Sequence, residues 1–102
     1  MRRKELGEIF KASYLRGVGT AIFSVYGRVM WSEDLNLKNN TLKISVYDKC
    51  MEELEGVRDL DKHLKYKKEF KLSNDIFDSE VNVSMNLDNI ITTVQSDLIY
   101  QN

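Results

Sequence analysis

Apolar residues recur every three or four positions from Glu5 to Met30: Leu6, Ile9, Phe10, Leu15, Val18, Ile22, Val25 and Val29. That is the period of one helix face, and Glu8, Lys11, Ser13, Arg16, Ser24 and Arg28 occupy the opposite positions. The pattern predicts a long amphipathic helix that needs an apolar surface to lie against. Gly17 and Gly19 weaken it, since glycine costs about 1 kcal/mol relative to alanine in a helix interior. The face resumes in phase beyond them, so one long helix, or two nearly collinear ones, is expected. A strand over Thr20 to Tyr26 is the alternative, but Ala21 to Phe23 are all apolar and lack the alternation of a half-buried strand.

After the punctuation of Gly27 and Ser32 the period changes from three and four to two. Leu35, Leu37, Leu42, Ile44 and Val46 have polar residues between them, which spells a hairpin. A two-residue turn at Asn39 and Asn40 places Leu37 opposite Leu42 and Leu35 opposite Ile44, and asparagine tolerates the positive φ such turns demand. Asp48 is then the expected cap of a short helix closed by Gly56, with Met51, Leu54 and Cys50 inward and Glu52, Glu53 and Glu55 outward. Val57 to His63 reads as a connector capped by Asp59. Leu64, Tyr66, Phe70 and Leu72 alternate with Lys65, Lys67, Glu69 and Lys71 as a strand, with Lys68 out of pattern and therefore at an edge or a bulge. Beyond a loop from Ser73 to Ser79, alternation at Val81, Val83, Met85 and Leu87 predicts a fourth strand and a second hairpin. Asp88 then caps a last helix carrying Ile90, Ile91, Val94 and Leu98, which frays at Tyr100 to Asn102.

The expected architecture is a single α+β domain over residues 1–102. It is a two-layer fold in which an antiparallel four-stranded sheet of two hairpins is packed by a long N-terminal, a short middle and a C-terminal helix. Residues 1–4 read as a loose basic arm. With 102 residues the chain supports one core.

Composition narrows the partners. Lysine and arginine number 15 against 16 acids, for a net charge of -1, so recognition of a polyanion requires charge segregated into a patch. Cys50 is the only cysteine, which excludes an intramolecular disulfide and a four-thiolate zinc site and suits a reducing, cytoplasmic setting. Glu5, Glu8, Lys11 and Arg16 interrupt what would be the apolar core of a signal peptide, and the longest uncharged run, Gly17 to Gly27, is too short to span a bilayer. A soluble intracellular protein without membrane contact is expected. The lack of proline and the abundance of Lys, Asn, Asp and Ile fit an AT-rich small genome, such as that of a virus or mobile element.

Candidate chemistry is sparse. Lys62, His63, Lys65, Lys67, Lys68 and Lys71 form a basic segment opposed locally only by Glu69, with Lys65, Lys67 and Lys71 on one strand face where they can meet successive phosphates. Arg2 and Arg3, with Lys4, make a second basic cluster. The same lysines equally describe protection of an edge strand against pairing. Asp59, Asp61 and His63 alternate in the manner of metal ligands on an extended segment, but the EF-hand glycine and glutamate positions hold Leu64 and Phe70, so no metal or cofactor is expected. Glu69-Phe70-Lys71, preceded by Asp61, matches the short acid-x-Lys pattern of metal-dependent nucleases, a triplet expected by chance in so charged a chain. Gly17-Val18-Gly19-Thr20 lacks the lysine and flanking strand of a phosphate loop and reads as close backbone packing. Cys50 reads as a buried structural thiol. Tyr26, Met30 and Trp31 are core candidates that also describe a self-association face, for which a homodimer is the expected assembly. The sequence therefore points to a non-catalytic interaction protein working through protein contacts, engaged through the acidic helix Glu52 to Glu55 or the long helix. A nucleic-acid binder using the basic strand is the alternative, and a metal-dependent nuclease comes third.

Overall fold

The computed structural model describes residues 2–101. In chain order these form α1 (Arg3–Tyr26), β1 (Trp31–Asn36), β2 (Thr41–Tyr47), α2 (Met51–Leu54), a 3-10 turn (Leu60–His63), β3 (Leu64–Lys71) and α3 (Glu80–Gln101). The long first helix is continuous through both glycines. It ends at Gly27, whose φ of 74° is open to glycine and whose N–H returns to the Phe23 carbonyl at 2.9 Å. Its buried side is Leu6, Phe10, Tyr14, Val18, Ala21 and Ile22. Ile9 and Leu15, expected inward, are exposed, and Tyr14 takes a core place that the apolar pattern did not assign.

The sheet has three antiparallel strands in the order β1-β2-β3. The expected fourth strand is absent from it: Val81 to Leu87 form the first turns of α3. Alternation also contains i, i+4 pairs, and here the helical period wins because one such pair, Val83 and Leu87, continues in phase to Ile90, Val94 and Leu98, giving one buried stripe along the whole helix. Val81 and Met85, which a strand would have buried, are exposed. Ser79, rather than Asp88, caps α3, its hydroxyl accepting from the Asn82 N–H at 3.1 Å.

The hairpin also differs from its expected register. Leu35 pairs with Leu42 and Glu33 with Ile44, so the strands are offset by two residues from the sequence reading, which keeps every side chain on its face. The extra length becomes a longer loop, closed by Asn36, whose side-chain oxygen accepts from the N–H groups of Lys38 and Asn39 at 3.0 and 3.2 Å. Asn40 supplies the positive φ, 53°. Leu37 lies out in this loop and is exposed. Trp31, expected at the helix end, opens β1.

Both long helices lie on one face of the sheet. Leu42, Ile44 and Val46 of β2, with Tyr66 and Phe70 of β3, face the buried stripes of α1 and α3, and Leu72, Ile76 and Phe77 of the β3–α3 connection seal the end. Arg3 meets Asp78, and a Cβ on Gly17 would meet Ile91, so contacts advance in the same direction along both helices and the pair runs parallel. Gly17 lets α3 approach, and Gly19 seats the Trp31 ring, whose Cζ2 lies 3.3 Å from where a Cβ would stand. The two glycines are close-packing positions. Among the described residues no helix is long and apolar enough to cross a membrane.

Candidate functional site

A sheet covered on one side presents an open face and two edges. The open face carries Ser32, Asp34 and Asn36 of β1, Thr41, Lys43, Ser45 and Tyr47 of β2, and Lys65, Lys67, Glu69 and Lys71 of β3, because side chains alternate across each strand and the other set faces the core. The structure thus brings Lys65, Lys67 and Lys71 to one surface as expected and adds Lys43, which the sequence reading missed because only the strand order reveals it as a neighbour. Lys43 is opposite Asp34 on one side and Glu69 on the other, an alternation of charge that stabilises the row and offsets part of the patch. The Lys71 ammonium donates to the Asn39 carbonyl at 3.2 Å.

The remaining expected cations are elsewhere. Lys62 is in the 3-10 turn beyond the opposite end of β3 from Lys71. Arg2 stands at the N-cap of α1, and Arg3 and Lys4 lie in its first turn rather than on a loose arm. The Arg3 guanidinium pairs with Asp78 at 2.8 Å and lies over the Phe77 ring. These arginines belong to the helix layer and do not share the lysine face.

The edges differ in kind. In an antiparallel ladder, alternate residues turn their backbone groups toward the neighbour. The Tyr47 N–H donates to the Met30 carbonyl at 3.0 Å, which phases the β1–β2 ladder: Ser32, Asp34 and Asn36 bond to β2, while Trp31, Glu33 and Leu35 turn their N–H and C=O groups outward. Among the described residues no turn, loop or cap hydrogen bond uses the backbone of those three. The same phasing, set by the Leu72 N–H donating to the Asn40 carbonyl at 2.7 Å, points the backbone of Lys65, Lys67, Glu69 and Lys71 out of the β3 edge. That edge is blunted. Its outward residues all carry charge, Lys68 sits among the inward positions beside Asp97 at 3.7 Å, the ladder is irregular near Tyr47, and the Gln101 amide donates to the Lys65 carbonyl at 2.6 Å. The β1 edge has no lysine, no proline and no bulge; its blunting devices are Glu33, an inward-pointing carboxylate, and Asp34 on the open face.

Glu33 is half-buried and makes no salt bridge among the described residues. Beneath it the Tyr14 hydroxyl is fully buried without a hydrogen-bond partner among the described residues. Burial, and then the nearby Glu33 and Asp34 carboxylates, push the Tyr14 hydroxyl up to about 12. Beside β1, a groove of about 470 Å³ runs between the sheet and the first turns of α1, with Gly7, Leu35, Leu37 and Phe77 as its apolar lining and Lys4 and Lys11 on its rim. Gly7 leaves it open, since nothing lies within 4 Å of where a Cβ would be.

Other candidates are drawn into local structure. Glu52 pairs with Arg28 at 2.7 Å, and Glu53 accepts from the Cys50 thiol at 3.1 Å and from its backbone N–H at 3.3 Å, so Cys50, not Asp48, begins α2. The same contact raises the thiol above its ordinary range and keeps it protonated, with Glu53 lowered in return. Cys50 is partly exposed rather than buried, and Met51 faces solvent while Leu54 alone anchors α2. Asp59, Asp61 and His63 do not lie on an extended segment: the chain coils there, and His63 turns to Asp48 at 3.0 Å. Asp61 precedes β3 while Glu69 lies near its far end, about 17 Å of extended strand away, so the nuclease-like pair does not converge. Among the described residues no group of three potential metal ligands comes together. Tyr26 and Trp31 pack against the core, and Met30 lines shallow grooves beside α2.

Compared with protein-family models, with curated proteins and with solved structures, the chain matches none.

Proposed function

We propose that this is a small non-catalytic interaction protein that works by binding another protein along the β1 edge of its sheet. The observation that carries this reading is the asymmetry of the two edges: β3 is blunted by lysines, an irregular ladder and Gln101, whereas β1 leaves the backbone of Trp31, Glu33 and Leu35 unpaired among the described residues. Edge backbone groups template the addition of a strand from another chain, and main-chain hydrogen bonds supply much of the affinity in that mode. The acidic α2 supports the reading less well, because Glu52 and Glu53 are engaged within the chain.

The test is co-purification from the cells that make the protein, comparing the unmodified chain with Glu33→Lys/Asp34→Lys. A protein retained by the first and lost by the second is expected. Retention of nothing, or equal retention by both, contradicts the reading.

A second reading, binding of nucleic acid, is favoured by one observation: Lys43 joins Lys65, Lys67 and Lys71 on the open face. Under this reading, affinity for oligonucleotides falls steeply between about 50 and about 200 mM salt, and replacing the three β3 lysines by alanine flattens that dependence. Affinity indifferent to salt and to those lysines contradicts it.

A further inference from the structure

We infer that the β1 edge takes a basic extended segment, one that sets a lysine or arginine against Glu33 and places an apolar side chain in the groove beside Leu35. This rests on the proposed role of β1 as the binding edge and adds the chemistry of the partner.

A strand added to β1 bonds to the backbone of Trp31, Glu33 and Leu35 and thereby covers the half-buried, inward-facing Glu33 carboxylate. A neutral strand would leave that charge desolvated and unpaired, which is strongly unfavourable, whereas a cationic side chain opposite it forms a pair. Asp34, exposed and already opposite Lys43, adds a weaker preference of the same sign on the open face of the sheet. Selection by charge is thus built into both faces of one edge, as repulsion of the wrong strand as much as attraction of the right one.

The same residues oppose a second copy of the chain. Antiparallel pairing of β1 with itself must match inward positions with inward ones, so the centred registers set Glu33 directly against Glu33 or Asp34 directly against Asp34, and like charges directly opposite destabilise a sheet. The groove supplies the second half of the specificity. It lies on the inward side of β1 next to Leu35, about 470 Å³ in volume, with Gly7, Leu35, Leu37 and Phe77 as its apolar lining and the cations Arg3, Lys4 and Lys11 outnumbering Glu8 on its rim, so it admits an apolar side chain and disfavours a second cation. Inward side chains on an added strand fall two residues apart. One opposite Glu33 and the next opposite Leu35 therefore give, on an antiparallel strand, the pattern apolar, any, basic.

The experiment is panning of a ten-residue random peptide library displayed on phage against the unmodified protein. Enriched clones are then measured as synthetic peptides against two variants. Glu33→Lys/Asp34→Lys reverses the charge; Gly7→Met fills the groove from a position where a Cβ has free space and where leaving glycine favours the helix. Thermal melts of both variants verify that they are folded. Enriched sequences carrying Lys or Arg two positions from Leu, Ile or Val, bound about tenfold more weakly by each variant, are the expected result. Acidic or neutral sequences, or peptides bound equally by the variants, overturn the basic-strand proposal while leaving a protein-binding role in place. Absence of any enriched sequence overturns both. A dimer of the unmodified protein that the charge reversal abolishes overturns the proposal in favour of a second copy.

Discussion

At the residue scale the most informative position is Tyr14. Its hydroxyl is buried with no partner, and a buried unpaired hydroxyl costs about 1 to 3 kcal/mol. Tyr14→Phe removes that cost without opening a cavity, so it is expected to raise stability by about 1 kcal/mol, read as a higher urea midpoint at unchanged slope. A loss of stability would mean that the hydroxyl has a partner in solution. Its ionisation gives a second readout. An unfolded tyrosine loses its proton near pH 10, whereas Tyr14 keeps its proton up to about 12, so between those values the folded state binds more protons. The stability this contributes is complete below pH 10 and is lost as pH rises toward 12, by about 1 kcal/mol per pH unit. Tyr14→Phe is expected to make the decline over that interval shallower, leaving the part due to Tyr66, which burial and Asp97 also shift upward, and an unchanged decline would contradict the assignment. The sequence did not disclose this residue because tyrosine belongs to neither pole of an apolar-polar pattern. It did disclose Asn40, whose tolerance of positive φ was legible before the loop length was.

At the scale of elements, what was legible followed from length of pattern. Six helical turns of α1 and the alternation of β2 and β3 were readable because many residues agreed on one period, and so was the edge character of β3, from Lys68 alone. The segment from Val81 to Leu87 was not, since its alternation is compatible with an i, i+4 pair, and only the stripe beyond it, packed on α1, decides. Hairpin register was lost for a similar reason: an offset of two residues leaves the faces unchanged, and the side-chain capping by Asn36 that fixes it looks like any loop polar residue. The helix pair offers a direct test. A Cβ on Gly17 would come within 2.9 Å of Ile91 Cγ1 and closer still to its Cδ1, so Gly17→Ala alone is expected to destabilise by about 1 to 2 kcal/mol despite the better helix propensity of alanine. In an Ile91→Ala background the same change should become stabilising by up to about 1 kcal/mol, a coupling that a double-mutant cycle measures. Additive effects would show that the helices do not meet there. Likewise Ser79→Ala, which removes the cap of α3, is expected to lower stability by about 1 kcal/mol in chemical denaturation, while Asp88→Ala, at mid-helix, is not.

At the scale of the whole molecule, the near-neutral total conceals a polarity across the sheet, with an acidic, open β1 at one edge and a basic, blunted β3 at the other. Neither the strand order nor the ladder phase is written in composition, so the lysine strand is legible in the sequence while Glu33 and Asp34 beside the Leu35 groove are not. The lysines and the candidate site are two sides of one problem, how a three-stranded sheet covered on one face manages its edges. Backbone amide hydrogen exchange of the free protein, followed by NMR, addresses that account most directly. The amides of Trp31, Glu33 and Leu35 are expected to exchange rapidly while those of Ser32, Asp34 and Asn36, bonded to β2, exchange slowly, an alternation along one strand that only an open edge produces. Slow exchange at Trp31, Glu33 and Leu35 in the free protein would mean that the edge is already covered, and would contradict the account.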